Sequence, residues 1–317
     1  MTKLSGGPCM RQEILTLYSK SDGLPLSVAK FAPDTDAEIK GIVQISHGMA
    51  EHKERYFPFM EYLVSKGYAA VINDHRGHGA SVKIKDDLGY FYDESGRFIM
   101  EDLHQITQDI KEHLPGKPVY LFGHSMGSMV VRDYIKKYDD QIEKLIVCGS
   151  PSKNPLIGAA LVLVAIQRAF KGDRYRSDFI QNLAFGSYSK NIKGSEPVSA
   201  NAWLSVNEDN VKEYDACELC GYVFTLNGFR NLFTLMRSIY SADGWAVNNP
   251  NLPIMFIAGS EDPVTVSEAK WKESQEFLRK IGYTNVSGKM YQGARHEILN
   301  EDIKQEVYDD IVRFMEE

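Results

Sequence analysis

Val119-Tyr120-Leu121-Phe122-Gly123-His124-Ser125-Met126-Gly127-Ser128 drives an apolar run straight into a Gly-x-Ser-x-Gly pentapeptide. The run is β-branched and aromatic, as a buried parallel strand requires, and Met126 to Tyr138 carries apolar residues at helical spacing. Strand, tight turn and helix together are the setting of a nucleophile elbow, which holds its serine at the apex of a strained turn. Gly123 and Gly127 fit that setting, because strand and helix approach too closely there for side chains. A Gly-Ser turn without chemistry would carry the same five residues, so the remainder of the chain decides the reading.

Upstream, Arg11 to Tyr18 and Leu26 to Phe31 read as an antiparallel pair around Ser21-Asp22-Gly23. Gly41 to Ser46 reads as a short apolar strand ending on His47-Gly48-Met49-Ala50-Glu51-His52, and Arg55 to Lys66 carries the helical period. Tyr68 to Asn73 is the next expected strand, running into Asp74-His75-Arg76-Gly77-His78-Gly79-Ala80-Ser81. Phe98 to Leu114 predicts an amphipathic helix, stopped by Pro115-Gly116-Lys117-Pro118 before the elbow strand. Lys144 to Cys148 continues the series of strands. Strands alternating with helices of this length build a mostly parallel sheet with both faces covered. The alternation breaks near Pro151. It returns with a strand at Pro253 to Ala258, a helix from Val264 to Ile281, a strand at Gly288 to Tyr291 and a closing helix from Glu301 to Phe314. The expectation is an α/β core from residues 1–150 and 251–317, interrupted at 151–250 by a helical insertion.

A chain of 317 residues that is 43% hydrophobic can bury a sizeable core, and its net charge of −7 without a basic block argues against nucleic-acid binding. The N-terminus lacks the apolar stretch of a secretory signal and no segment reaches the ~18 apolar residues of a spanning helix, so a cytoplasmic location is expected. Cys9, Cys148, Cys217 and Cys220 are too scattered for a disulfide framework. Cys217-x-x-Cys220 has no second pair to complete a zinc site and reads as two packed cysteines on one helix face, so no metal is expected. His47, His52, His75 and His78 lack an accompanying His-Glu-x-x-His pattern. His47 and His75 follow strands and are expected to bond nearby backbone, while His104 and His113 are expected to be solvated on a helix surface.

A serine hydroxyl is a poor nucleophile at neutral pH and needs a general base, which needs a partner to hold its tautomer. In a sheet of this kind both follow the serine, in the order acid then histidine, on loops leaving later strands. Asp262 sits in Gly259-Ser260-Glu261-Asp262-Pro263, directly after the Ile254 to Ala258 strand, with Glu261 as its close rival. His296 lies just past the strand ending at Tyr291. One β/α unit separates the two, which makes their loops neighbours along the sheet edge. Donors to a developing oxyanion are expected from the backbone N–H of Met126, first in the helix after Ser125, and of Met49 beside Gly48.

Taken together, the elbow, His47-Gly48-Met49-Ala50-Glu51-His52 with Arg55-Tyr56, the Asp74 to Ser81 motif and Gly293-Ala294-Arg295-His296-Glu297-Ile298-Leu299-Asn300-Glu301 are specific. Over residues 10 to 150 and 250 to 317 the chain resembles the monoacylglycerol lipase and lysophospholipase branch of the α/β-hydrolases. The resemblance implies cofactor-free hydrolysis of esters carrying one fatty acyl chain, with Ser125 as nucleophile, Asp262 as acid, His296 as base, and Met49 and Met126 as oxyanion donors. Residues 151–250 match only as a helical cap. In it Ile157, Leu161, Val164 and Ile166 are too apolar for a solvated helix, so this helix packs on the core or touches a membrane surface. Two other readings compete. One is a prolyl aminopeptidase-like amide hydrolase recognising a free amine through Glu208, Glu213 and Glu218; the other is a non-enzymatic ligand-binding module, which the intact set of three residues disfavours. Ser125 excludes the aspartate-nucleophile chemistry of haloalkane and epoxide hydrolases.

Overall fold

A computed structural model describes residues 10–189 and 199–317; Cys9 and the stretch 190–198 of the expected insertion lie outside it. Its strands are β1 (Met10–Tyr18), β2 (Pro25–Pro33), β3 (Gly41–Ser46), β4 (Tyr68–Asn73), β5 (Val119–His124), β6 (Lys144–Cys148), β7 (Ile254–Gly259) and β8 (Val286–Tyr291). Helices α1 (Phe57–Ser65), α2 (Phe98–His113) and α3 (Met126–Tyr138) alternate with strands β3 to β6. Between β6 and β7 come α4 (Ile157–Lys171), α5 (Asp178–Phe185), α6 (Glu208–Ala216) and α7 (Leu226–Ser238), and α8 (Glu268–Ile281) and α9 (Lys304–Glu316) close the chain. The strands form one sheet in the order β1-β2-β4-β3-β5-β6-β7-β8. The β1–β2 and β2–β4 pairs are antiparallel and every later pair is parallel.

Every residue of β3, β4, β5 and β7 is buried, because the pleat sends successive side chains to two covered faces. Ile42, Leu121, Leu145 and Ile254 join one core with Leu103 of α2, Val131 of α3 and Leu278 of α8. Their neighbours Val43, Phe122, Ile146 and Met255 join the other, with Leu63 of α1 and Ile311 of α9. The order reverses at β3, which has β4 on one side and β5 on the other. Such a reversal opens a crevice at the carboxyl ends of the two strands, where the residues after Ser46 and His124 emerge.

The segment between β6 and β7 contributes no strand to the sheet among its described residues. Its helix α7 carries Leu226, Phe229, Leu232 and Leu235 into the core, with Thr225 capping its N-terminus by accepting from Gly228 N–H at 3.2 Å. In α4 only Val164 is fully buried, and Val162, Ile166 and Phe170 are 59%, 50% and 83% exposed.

Local differences from the sequence reading have local causes. The helix expected from Arg55 starts as a 3-10 turn over Lys53–Tyr56 and becomes α-helical at Phe57, where Pro58 occupies the first turn. The helix expected from Val264 is split: a 3-10 turn spans Pro263–Thr265, Val266 turns at φ 63°, and Ser267 caps α8. His104 is half-buried, lying flat on Tyr138 with ring centroids 3.6 Å apart, and His113 is exposed. Cys217 and Cys220 share no helix face. The helix ends at Ala216 and the pair lies in the following turn, closed by Cys220 N–H donating to Cys217 O at 3.0 Å. Among the described residues no helix is long and apolar enough to cross a membrane.

Candidate active site

Ser125 joins β5 to α3 with φ 54° and ψ −117°, a conformation that costs a non-glycine residue about 1–3 kcal/mol and that the surroundings must impose. They do so through close packing. A Cβ on Gly123 would lie 2.4 Å from Gly127 O, and one on Gly127 would lie 2.0 Å from Ser46 O. The turn is pinned by Ser125 N–H donating to Cys148 O at 2.9 Å and by the Ser128 hydroxyl donating to Ser125 O at 2.5 Å.

Asp262 and His296 leave the ends of the adjacent parallel strands β7 and β8. The aspartate is divided between two tasks: Oδ1 accepts Val264 N–H at 2.9 Å, and Oδ2 accepts His296 Nδ1–H at 2.9 Å. Both residues are buried, while Glu261 is exposed, and it is Asp262 that His296 bonds. With Nδ1 carrying the proton, Nε2 is left as a lone-pair acceptor. It is buried and has no hydrogen-bond partner among the described residues. His296 and Ser125 line one cavity without a direct hydrogen bond between them.

The loop after β3 brings Met49 to that cavity, and Met126 opens α3, where helical geometry gives the first N–H groups no intrahelical acceptor. The loop is held from beneath by Glu51, which accepts Gly48 N–H at 2.5 Å, Tyr56 O–H at 2.9 Å and Arg55 Nη1–H at 2.8 Å. Arg55 also grips Glu297 with two bonds of 2.6 Å, and Glu297 takes Asn210 Nδ2–H from α6 at 2.7 Å. Burial alone would push the Glu51 carboxyl up, but His124 and Arg55 hold it well below the ordinary range. Burial likewise opposes ionisation of Glu297, and Arg55 outweighs it. His124 is desolvated too, yet the facing Glu51 raises its pKa. Its Nε2–H donates to His296 O at 3.1 Å, so this charged cluster also fixes the backbone of the histidine beside Ser125.

His47, His75 and His78 are fully buried. His47 Nδ1–H donates to Gly48 O at 2.8 Å and Nε2 accepts His75 N–H at 2.9 Å, which uses both ring nitrogens. His75 departs from the expected backbone bond and pairs through Nε2 with the Ser46 hydroxyl at 2.8 Å. Burial pushes His47 down to about 4 and His78 down to about 3, so both are neutral at pH 7. His52 turns away from this group.

The cavity over Ser125 has a volume of about 390 Å³ and is walled by Met49, Met126, Met129, Phe185, Trp203, Leu204, Leu232, Met236 and Val264. Trp203 packs on His296 with centroids 5.1 Å apart. Glu208, Glu213 and Glu218 are all exposed and do not line it.

The sequence of residues 37–303 matches the family model described as "Serine aminopeptidase, S33". The chain belongs to the serine aminopeptidase S33 family. Within that family it is a monoacylglycerol-lipase-like α/β-hydrolase. This S33 hydrolase is 26% identical over 290 residues to a monoacylglycerol lipase of Mycolicibacterium smegmatis, spanning 90% of each chain. It is 30% identical over 271 residues to a monoglyceride lipase of Rattus norvegicus, covering 83% of this chain and 77% of the relative. A highly thermostable carboxyl esterase from Bacillus coagulans, solved in complex with glycerol, superposes with a TM-score of 0.88 at 26% identity, over 96% of this chain and 98% of that one.

Glu51, Arg55 and Glu297 fall inside the sequence motifs with no local pattern to give them a role, and none marks Trp203 or Tyr214. An arginine four residues after a glutamate was the available signal for one contact; the partner at Glu297 is 242 positions away and no local pattern points to it.

Proposed function

We propose that this S33 hydrolase, a carboxylic ester hydrolase, cleaves esters of single-chain lipids, monoacylglycerol or lysophospholipid, through an acyl-enzyme on Ser125. The carrying observation is the buried Asp262–His296 pair, whose free Nε2 belongs to the same apolar cavity as the Ser125 hydroxyl. Nε2 takes the serine proton as Oγ attacks the ester carbonyl, and Asp262 stabilises the imidazolium that forms. The N–H groups of Met49 and Met126 receive the oxyanion. The imidazolium then protonates the leaving alcohol, and water repeats the sequence on the acyl-enzyme.

Residues 151–250 act as a cap that shapes the acyl pocket. An apolar wall of this volume suits a fatty chain, and among the described residues its only acidic groups are Glu51 and Glu297, which Arg55 already neutralises. The exposed Val162, Ile166 and Phe170 of α4, with Phe179 and Leu183 of α5, give the cap an apolar outer face for transient contact with a lipid surface. Cytoplasmic residence belongs to the same reading, and the unpaired thiols of Cys217 and Cys220 suit a reducing compartment.

The test is a panel of nitrophenyl butyrate, a long-chain monoacylglycerol, a lysophospholipid and a proline anilide, with Ser125→Ala alongside. The lipid esters should be preferred, and the variant should lose about 10⁴-fold or more in kcat. Preference for the anilide would favour the amide reading to which the family description also lends weight. An unaffected ester rate in the variant would overturn the mechanism.

A further inference from the structure

We infer that His52, Cys217 and Cys220 form a binding site for a thiophilic divalent cation of the zinc type, joining the loop after β3 to the turn after α6. One ligand atom from each residue lies within 4.8 Å of the other two, although His52 is 165 positions from Cys217. The sequence shows only a Cys-x-x-Cys pair, too few ligands for zinc; the fold supplies the third.

The histidine is oriented as a ligand. Its Nδ1–H donates to Glu54 Oε2 at 2.6 Å, which fixes the tautomer and leaves Nε2 with its lone pair 3.4 Å from Cys217 Sγ. Glu54 is itself held by Lys53 Nζ at 2.8 Å, and Lys53 is buried against Asp74 at 2.7 Å. A carboxylate behind the imidazole is the arrangement that sets ring orientation and raises basicity in zinc sites. Around a tetrahedral zinc with bonds of about 2.0–2.3 Å, ligand atoms stand roughly 3.3–3.8 Å apart, which small side-chain rotations from the present spacing provide. Two thiolates and a neutral imidazole balance a divalent charge, and a solvent oxygen completes the four-coordinate shell.

The site stands where the two loops are already in register. Gly221 N–H donates to Ala50 O at 2.9 Å and Tyr214 O–H to the same carbonyl at 3.0 Å. A cation there fastens the stretch containing Met49 and Ala50 to the 217–221 turn, and Gly221 lines the cavity over Ser125.

Cobalt substitution tests this directly on the full chain, freed of metal by chelation under reducing conditions. One equivalent of Co²⁺ should give thiolate-to-cobalt charge-transfer absorption and the intense visible bands of four-coordinate cobalt, and one equivalent of Zn²⁺ should bleach both. The signal should vanish in C217S/C220S, persist in Cys148→Ala, and need about 10-fold or more metal in Glu54→Gln. Zn²⁺ should raise the Tm of the parent chain and of Cys148→Ala but not of C217S/C220S, a comparison made within each folded protein. Absence of the charge-transfer band, or its survival in C217S/C220S, would overturn the assignment.

Discussion

Replacing Arg55 by Met tests the claim that one guanidinium keeps two buried carboxylates ionised beneath Ser125 and His296. Arg55 is 11% exposed, and its partners Glu51 and Glu297 are 4% and 3% exposed. Removing one member of a buried charged set leaves the others uncompensated and costs about 3–5 kcal/mol. For a chain of 317 residues, with unfolding entropy of about 2.1 cal/mol/K per residue, that loss lowers Tm by about 5–7 °C. The pH dependence carries the sharper signature. In the parent chain both carboxyls are depressed below the ordinary 4.5, so their contribution is complete above that value and is lost as pH falls through the folded pKa values. Without Arg55, burial pushes Glu297 the other way and leaves Glu51 to His124 alone. The deficit of Arg55→Met should therefore be largest near pH 7 and shrink as pH falls toward and below 4.5. Urea unfolding of parent and variant across that range measures the difference, and R55M/E297Q should recover much of the neutral-pH loss. A deficit under about 1 kcal/mol, or one equal at pH 7 and pH 4.5, would refute the argument.

Gly127→Ala would place a Cβ 2.0 Å from the Ser46 carbonyl, against backbone that cannot yield, and should destabilise by about 3 kcal/mol or more; Gly158→Ala, with nothing within 4 Å, should be neutral or stabilising, and thermal melts of the two decide. His78 is neutral when folded and ordinary when unfolded, so the stability it confers is full above pH 6.5 and is lost as pH falls toward about 3. His78→Phe, filling the space against Phe91 and Phe224, should flatten the fall in urea midpoint between pH 6.5 and pH 4, and an unchanged slope would contradict this. Ile166→Glu with Phe170→Glu should weaken flotation with phospholipid vesicles and lower the rate on vesicle-borne monoacylglycerol while sparing a soluble butyrate ester; equal loss on both substrates would contradict an outer lipid-facing surface.

The strands were legible because β3 to β7 are continuous apolar runs bounded by Gly and Pro, and the elbow because strand, glycines and helix fall within ten residues. Asp262 was readable for the same reason, since it closely follows β7, and His296 because it lies just beyond the strand ending at Tyr291. What escaped was contact across the chain. Nothing near Cys217 announces His52, and nothing near Arg55 announces Glu297, since the first meeting depends on how the turn after α6 settles and the second on two core loops 242 positions apart. Periodicity also overstated regularity. It carried a helix through Val266, where a positive φ breaks it, and set Cys217 and Cys220 on a helix that ends one residue earlier.

The helices over the cavity are moored to different shores. From the α6 side, Asn210 bonds Glu297, Tyr214 bonds Ala50 O, and Ser205 bonds Glu301, all on the loops that carry Met49 and His296. Polar ties from the α4–α5 side, such as Arg168 to Glu94 and Arg176 to Leu88 O, end on the stretch 88–94, outside those two loops. On the proposed mechanism, drift in α5, which lines the cavity with Gln181, Asn182 and Phe185, can therefore remodel the acyl pocket without disturbing the loops of Met49 and His296, whereas substitutions along α6 reach those loops. Libraries aimed at new chain-length preferences then belong on α5, and loss-of-function alleles should cluster on α6.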